Sequence, residues 1–333
     1  MGLFNSNKSN PNQTATRHTL SEDWKQLMNK IDWMAAPGMA NYVNGLVSKK
    51  DLSSEGHWAQ YALNKYILPI HKKKSNESKK KLFNKKVKLS MLSLACGSAH
   101  IDESLIKEFN WPITDFMGLE YDSELIKAGK EKFNKLSNVK SEFQFFDFNN
   151  PPSINKKYDI VFCCHSIHHA TDLEKFLPSM NSYLSDDGII IGIDFFGPTR
   201  FQIEYETQKY LYEIYDLLPD HFKRDLRTEK MKVTKEFDFD SIKAVRDADI
   251  SESVRSSDLR TLLFSNFPVV EILPMGGTIL RWLMQYRAGN YLHDNSDHVL
   301  ISKLLQIIER ELIFSNKIKS DDLFFVLKKS TRF

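Results

Sequence analysis

Four short stretches of the chain carry residue types that can do chemistry, and each ends an apolar run. The first is LSLACGSAHID (Leu92–Asp102), where Ala95, Cys96, Gly97, Ser98 and Ala99 follow a strand-like segment. Small residues there let backbone approach a ligand, and a helix start offers free N–H groups to a polar one. The second is Glu120, 23 residues after Gly97, followed by Tyr121. A carboxylate at that place can take both hydroxyls of a ribose, with Tyr121 against the base. The third is Asp147 with Phe148, an acid placed to accept from an exocyclic amine. The fourth is CCHSIHH (Cys163–His169), where Cys164 and His165 pass the far end of such a ligand. Its histidines suit proton transfer near neutral pH, His168 and His169 ahead of His165. The competing reading is a loop with one packed histidine and Asp172 as a helix cap.

Further polar residues cluster where the fifth apolar strand gives out. Asp194, Arg200, Gln202 and Glu204 stand at that rim, either holding a polyol acceptor or serving as cap and helix-surface residues. Glu252 and Arg255, three apart in SESVRSSD, read as a structural pair. Tyr205, Tyr210, Tyr212 and Tyr215 read as packing.

The elements that must position these groups alternate. Strands are expected at Leu89–Ala95, Asp115–Glu120, Phe143–Phe146, Tyr158–Cys163 and Ile189–Phe195. Helices are expected between them at Asp102–Phe109, Ser123–Leu136 (capped by Ser123) and Asp172–Leu184, with Pro178 kinking the last. Strands separated by single helices argue for a parallel sheet buried on both faces. Asp187-Gly188 is the turn into the fifth strand. After Gly197-Pro198 the rhythm breaks. A long helix over Phe201–Leu218, charged sequence to about Ile250 and a short helix near Ser253–Phe264 follow. Strand Val269–Leu273, helices near Thr278–Tyr286 and His298–Phe314, and strand Leu323–Lys328 close the chain. Ahead of the first strand, helical pieces are expected from Ser21 (Trp24, Leu27, Ile31 and Met34 on one face), around Met39–Val47 and over His57–Ile67.

Composition narrows the classes. The 333 residues are 41% hydrophobic and 27% charged, as in ordinary soluble globular proteins. No apolar run is long enough for a spanning helix, and MGLFNSNKSN lacks the apolar core of a secretory signal. Gly2 and Ser6 fit a loose myristoylation pattern that nothing nearby supports. Three cysteines, two of them adjacent, lack both a disulfide framework and metal-ligand spacing, which points to buried thiols, no metal and a reducing, cytoplasmic compartment. The net charge of +3 is concentrated: His71–Lys88 holds nine lysines but one aromatic and no arginine. It could hold phosphates or an anionic glycolipid, but a solvated linker is the expected reading, and no nucleic-acid partner is expected.

The order of these motifs resembles the class I S-adenosylmethionine-dependent methyltransferases, from about Leu89 to Phe196, through LSLACGSAHID, GLEYD, FDFNN, YDIVFCCHSIHHATDLEKFL and LSDDGIIIGIDFFGP. The resemblance implies that Gly97 and its turn grip the methionine part, that Glu120 binds ribose and that Asp147 binds adenine. The acid usual on the first strand is Ser93 here, and the outer glycines are Ala95 and Ala99. Asp102 then stands in for the carboxylate that faces the methionine ammonium. GPTRFQIEYE, LLPDHFK, SESVRSSD, GGTILRWLM and WMAAPGMANYVNGLVS are similar to a narrower bacterial group linked to surface-polysaccharide or natural-product pathways.

The expected architecture is α/β, a Rossmann-like seven-stranded sheet with six strands parallel and Leu323–Lys328 inserted antiparallel near one edge. Its divisions are a tail (1–18), an N-terminal helical cap (19–70), the lysine-rich linker (71–88), the cofactor core (89–196), a helical insertion (197–265) and the end of the sheet with C-terminal helices (266–333). The insertion, with the N-terminal helices, is expected to roof the pocket of a small-molecule acceptor; the alternative is a dimerisation arm and a homodimer. The activity implied is methyl transfer to oxygen or nitrogen of a sugar, glycan precursor or natural-product intermediate. A non-catalytic cofactor-binding protein is the main rival. A nicotinamide-dependent oxidoreductase would want more glycines in the turn and a Tyr-x-x-x-Lys pair, and a nucleic-acid methyltransferase an Asn/Asp-Pro-Pro-aromatic motif.

Overall fold

A computed structural model describes residues 30–48, 56–80, 87–227 and 241–333. The tail, the Ser21 cap and the Gly2/Ser6 pattern lie outside them. Seven strands form one sheet: β1 (Leu89–Leu94), β2 (Ile113–Glu120), β3 (Lys140–Phe145), β4 (Tyr158–Cys164), β5 (Leu184–Phe195), β6 (Val269–Gly276) and β7 (Asp322–Lys328). Their spatial order is β3-β2-β1-β4-β5-β7-β6. Strands β1 to β5 pair in parallel, and β7 runs antiparallel to both β5 and β6, so six strands point one way. The chain winds outward from β1 to β3, then returns to place β4 on the other side of β1. The crevice between the carboxyl ends of β1 and β4 is therefore a topological switch point.

Alternation along each strand makes two cores. Met91, Phe116, Phe162, Ile191 and Phe324 face one side, and Leu92, Leu119, Val161, Ile190 and Phe325 the other. The first core is covered by the Met39–Ser48 helix, by the helical stretch from Trp58 to Lys80, and by the Leu280–Met284 and Ser296–Phe314 helices. The second is covered by the Leu173–Ser182 and Ser256–Asn266 helices. Trp58 stacks at 6.2 Å on Phe162, and the Trp111 indole donates to the Ala59 carbonyl at 3.1 Å. Truncating a ring as buried as Phe162 to alanine costs about 3–5 kcal/mol. The described N-terminal helices lie on a sheet face, and Trp33 approaches the carboxyl edge, 5.5 Å from the Arg281 guanidinium.

Several local features differ from the sequence reading. The helix over the lysine run continues to Lys80, and Lys74 bonds Asp159 at the amino end of β4 at 2.7 Å, so part of the expected linker is docked. Asp122, rather than Ser123, caps the Ser123–Phe133 helix, accepting from the Glu124 and Leu125 amides. Strand β5 begins at Leu184: Tyr158 pairs with Leu184 but Ile160 with Ile189, so Asp187-Gly188 sits in a bulge. The helix expected from Phe201 runs over Tyr205–Leu217, because Arg200 (φ 62°) and Phe201 (φ 50°) are left-handed and cannot continue it.

Candidate active site

The turn after β1 is held by unusual backbone. Ala95, Gly97 and Ala99 have φ of 46°, 58° and 53°, so two alanines occupy conformations that glycine adopts more cheaply. An L-residue there costs roughly 1–2 kcal/mol, and such strain gathers at working sites. A Cβ added to Gly97 would meet nothing within 4 Å, so the glycine borders open space. Three bonds fix the loop. Cys96 N donates to Leu119 O at 3.0 Å, Ala99 N to Cys96 O at 2.9 Å, and Gly97 N to Glu120 Oε2 at 2.7 Å. Glu120 Oε1 accepts from the Tyr121 and Asp122 amides at 2.9 and 3.0 Å. The carboxylate at the end of β2 thus ties the β1 turn to its own.

Behind this turn Asp102 is fully buried, in the first turn of the His100–Lys107 helix. Its Oδ1 has no hydrogen-bond partner. Burial pushes its carboxyl up, a hydrogen bond with Ser93 pulls back, and the net result is about 7. Ser93 on β1 and Asp102 therefore stand together. Around the rim, Asp147 accepts from Asn149 N at 2.8 Å and is half-buried. Tyr121 is exposed beside Phe145, ring centres 5.2 Å apart, and Phe148 packs edge-on against Phe146 and Phe176. Ser98 and Cys96 are half-buried in the turn. Burial raises the thiols of Cys96, Cys163 and Cys164 above their ordinary range, and all three are free.

Across the crevice, a second constellation joins the ends of β4 and β5 to the insertion. His168 Nδ1 lies 2.5 Å from Asp194 Oδ1, and its Nε2 lies 3.1 Å from Glu252 Oε1. Asp194, wholly buried on β5, also accepts from Ser166 N (2.8 Å), Ile167 N (2.9 Å) and Phe195 N (2.8 Å). Burial alone would lower His168. The charge of Asp194 and the bonds to both carboxylates outweigh it and bring the ring to about 10, an imidazolium that donates from both nitrogens. The same pairing holds Asp194 below the usual carboxylate range despite its burial.

His169 is set the other way. Burial, then the charge on His168, lower it. Its Nδ1 lies 3.0 Å from Ser251 Oγ, whose hydroxyl donates to Asp249 Oδ1 at 2.7 Å. That oxygen must therefore accept from Nδ1–H, which assigns the tautomer and leaves Nε2 with its lone pair. His165 is exposed, at φ 47°.

The structure separates residues that the sequence had grouped. Arg255 bonds Glu174 (2.7 and 2.9 Å) and Asp258 (2.8 Å), not Glu252, so the expected pair is replaced by two others. Asp194 faces His168 instead of opening to the rim. Arg200 donates to the carbonyls of Ile250 (2.7 Å) and Glu252 (3.1 Å), Gln202 to Arg200 O (2.9 Å), and Glu204 pairs with Lys319 at 3.0 Å. Arg200 thereby clamps the stretch that carries Ser251 and Glu252. Sequence reasoning missed Asp249 and Ser251 altogether. They lie some eighty residues from the histidines, in charged sequence without periodicity, and only the fold brings them in.

One donor of each of His168, His169 and Glu252 falls within 4.8 Å of the others, a spacing a metal ion could use. Two of those donors already bond each other. Among the described residues, no helix is long and apolar enough to cross a membrane.

Comparison with known proteins bears on this crevice. Residues 92–190 match a family model described as a methyltransferase domain, which takes in the β1 turn, Glu120, Asp147 and the histidines. No curated protein matches the chain. Among solved structures, the [4+2]-cyclase SpnF is similar at 8% identity over 88% of this chain and 92% of that one, with a TM-score of 0.43. The YcgJ protein of Bacillus subtilis is similar at 14% over 75% and 96%, TM-score 0.37. A SAM-dependent methyltransferase of Aquifex aeolicus is similar at 18% over 44% and 76%, TM-score 0.29.

Proposed function

We propose that this chain, a class I S-adenosylmethionine-dependent methyltransferase, methylates an oxygen or nitrogen of a small molecule: a sugar, a glycan precursor or a natural-product intermediate. The observation that supports this reading is the pair of contacts by which Glu252 and Ser251 reach His168 and His169, a buried polar cluster that would form the acceptor side. A buried cluster of this kind would suit a small acceptor better than a macromolecular surface. The free thiols favour the cytoplasm.

The residues present fit the cofactor. Asp102, with an orphaned buried oxygen beside Ser93, would take the methionine ammonium, and the open space at Gly97 would admit the chain. Glu120 has one lone pair left, on Oε2, for a ribose hydroxyl, Asp147 would accept from the adenine amine, and Tyr121, Phe148 and Cys164 would line the base and the sulfur end. When bound, S-adenosylmethionine supplies a methyl group on a sulfonium, open to in-line attack.

On the acceptor side, His169 Nε2 takes the proton that an acceptor hydroxyl or amine loses as its lone pair bonds the methyl. His168 already carries a proton on each nitrogen and serves to position: it holds Glu252, and with it the insertion, against β5. The insertion (197–265), clamped through Arg200, excludes water and fixes the acceptor. Arg200, Gln202 and Glu204 are assigned to its rim, and His165 to the exposed side.

The test is a metabolite screen for gain of one methyl with the full chain, followed by kinetics on variants. His169→Ala should lower kcat by about 10²–10⁴-fold while S-adenosylhomocysteine affinity stays within about twofold. Deleting 225–250 should likewise spare cofactor binding and abolish turnover. Retained activity in either variant overturns the acceptor assignment.

A further inference from the structure

Three stretches that the sequence sets apart meet at one place. Trp33 comes from WMAAPGMANYVNGLVS, Phe201 from GPTRFQIEYE, and Gly277 and Arg281 from GGTILRWLM. They converge on Asp322, the first residue of β7, which lies opposite Phe195 at the carboxyl end of β5. The Arg281 guanidinium stands 5.5, 5.3 and 5.5 Å from the ring centres of Trp33, Phe195 and Phe201, and it donates to Asp322 Oδ2. Phe195 and Phe201 also reach His168, both at 6.3 Å. The place adjoins the histidine side of the crevice, yet the proposed reaction does not use it.

Two buried acids here face one cation. Asp321 and Asp322 are 5% and 4% exposed. Arg281 takes Asp322 Oδ2, but Oδ1 is buried with no hydrogen-bond partner. Burial pushes the Asp321 carboxyl well up; the Arg281 charge opposes the rise and the Asp322 charge adds to it. Glu309 close by is satisfied, accepting from Tyr42 OH and from the amides of residues 277 to 280. Both aspartates are seated against glycine. A Cβ on Gly197 would fall 2.7 Å from the Asp321 carboxyl carbon, and one on Gly277 2.6 Å from Asp322 Oδ2. Cys164, which ends β4, is raised by burial and then by the charges of Asp194, Asp102 and Asp322, so Asp322 borders the same crevice as Asp102.

We propose that Asp322, with Asp321 beside it, anchors an ammonium group of the acceptor. The inference rests on the function proposed above and narrows its substrate class: the acceptor carries a protonated amine at Asp322 besides the oxygen or nitrogen that is methylated at the histidines. A buried carboxylate oxygen without a donor is costly, and an ammonium supplies the missing donor together with the missing positive charge. A neutral hydroxyl supplies the donor alone. A carboxylate or phosphate at the same place meets two acids and is rejected. Asp322 binds and orients; no bond changes there.

Saturation-transfer NMR on the full chain loaded with S-adenosylhomocysteine tests this, with glucosamine, glucose and glucuronic acid as probes. The wild type should saturate glucosamine at least about fivefold more strongly than glucose, and glucuronic acid less than either. Asp322→Asn should bring glucosamine down to the glucose level, with circular dichroism and S-adenosylhomocysteine affinity unchanged. The wild-type ranking is read without any variant, so it decides even if Asp322→Asn fails to fold. Equal saturation of glucosamine and glucose, glucuronic acid ahead of glucose, or an amine preference that survives Asp322→Asn overturns the inference. So does a loss of about tenfold or more in S-adenosylhomocysteine affinity in that variant, which would place Asp322 in the cofactor seat. The two readings fail separately. No amine preference in a wild type whose turnover is lost in His169→Ala overturns this inference alone, whereas an amine preference with turnover intact in His169→Ala overturns the base assignment alone.

Discussion

The two sides of the crevice hold their carboxylates in opposite ways. On the β1–β2 side Glu120 is fixed by three backbone amides, two of them next to it in sequence. The arrangement is local, neutral in its donors and open at Gly97. On the β4–β5 side Asp194 and Glu252 grip a charged imidazole, and Glu252 arrives from an insertion 84 residues beyond His168. That arrangement is tertiary, fully buried and ionic. A local device can stay formed while a ligand comes and goes, whereas an ionic closure built on a distant segment links one face of the site to the placement of that segment. On the proposed function, the local device would seat the cofactor and the ionic closure would hold the acceptor side.

The sharpest way to break the contrast is to remove the ionic anchor. Asp194→Ala leaves His168 and three amides without their acceptor, and loss of one partner from a buried pair costs roughly 3–5 kcal/mol. Urea unfolding measures it, with Asp194→Asn as the milder variant; a loss below about 1 kcal/mol would mean the cluster is incidental.

The next effect is in pH. His168 in the folded state, at about 10, lies above its unfolded value near 6.5. Its stabilisation is complete below about pH 6.5 and drains away as pH rises toward 10. Asp194 is depressed, so its share is present above the unfolded carboxylate value and is lost as pH falls through its folded one. Unfolding free energy followed from pH 6.5 to 10 should decline, and the decline should vanish in His168→Gln. A slope that survives that substitution assigns it elsewhere.

A smaller effect belongs to the cofactor side. Asp102 is raised to about 7, so the folded protein retains a proton that the unfolded chain gives up near pH 4, and stability falls as pH rises between those values. A docked ammonium favours the ionised form. Affinity for S-adenosylhomocysteine should therefore rise with pH up to about 7 and turn flat there in Asp102→Asn. Calorimetry at pH 5.5 and 7.5 compares the two.

The β1 turn and the parallel strands β1 to β5 were legible because each is written in a short stretch: an apolar run, small residues, then an acid. The antiparallel β7 followed from the family that the chain resembles, in which the last strands lie beyond the alternating region. The acceptor side was legible only in its histidines. That His168 would be an imidazolium, that His169 would keep Nε2 bare, and that Glu252 would turn from Arg255 to His168 all depend on contacts across eighty residues. No periodicity encodes those contacts. Asp102 was legible in kind, since a missing acid at Ser93 asks for a substitute nearby, but its lack of a partner is a fact of packing.

The central claim is the division of labour between the two carboxylate settings, and titration calorimetry of S-adenosylhomocysteine with Glu120→Ala and Glu252→Ala tests it most directly. Glu120→Ala should weaken binding by about 1.5–3 kcal/mol, the scale of hydrogen bonds to a charged group, whereas Glu252→Ala should bind as the wild type does. Equal losses in both variants, or intact affinity in Glu120→Ala with a loss in Glu252→Ala, would contradict the account.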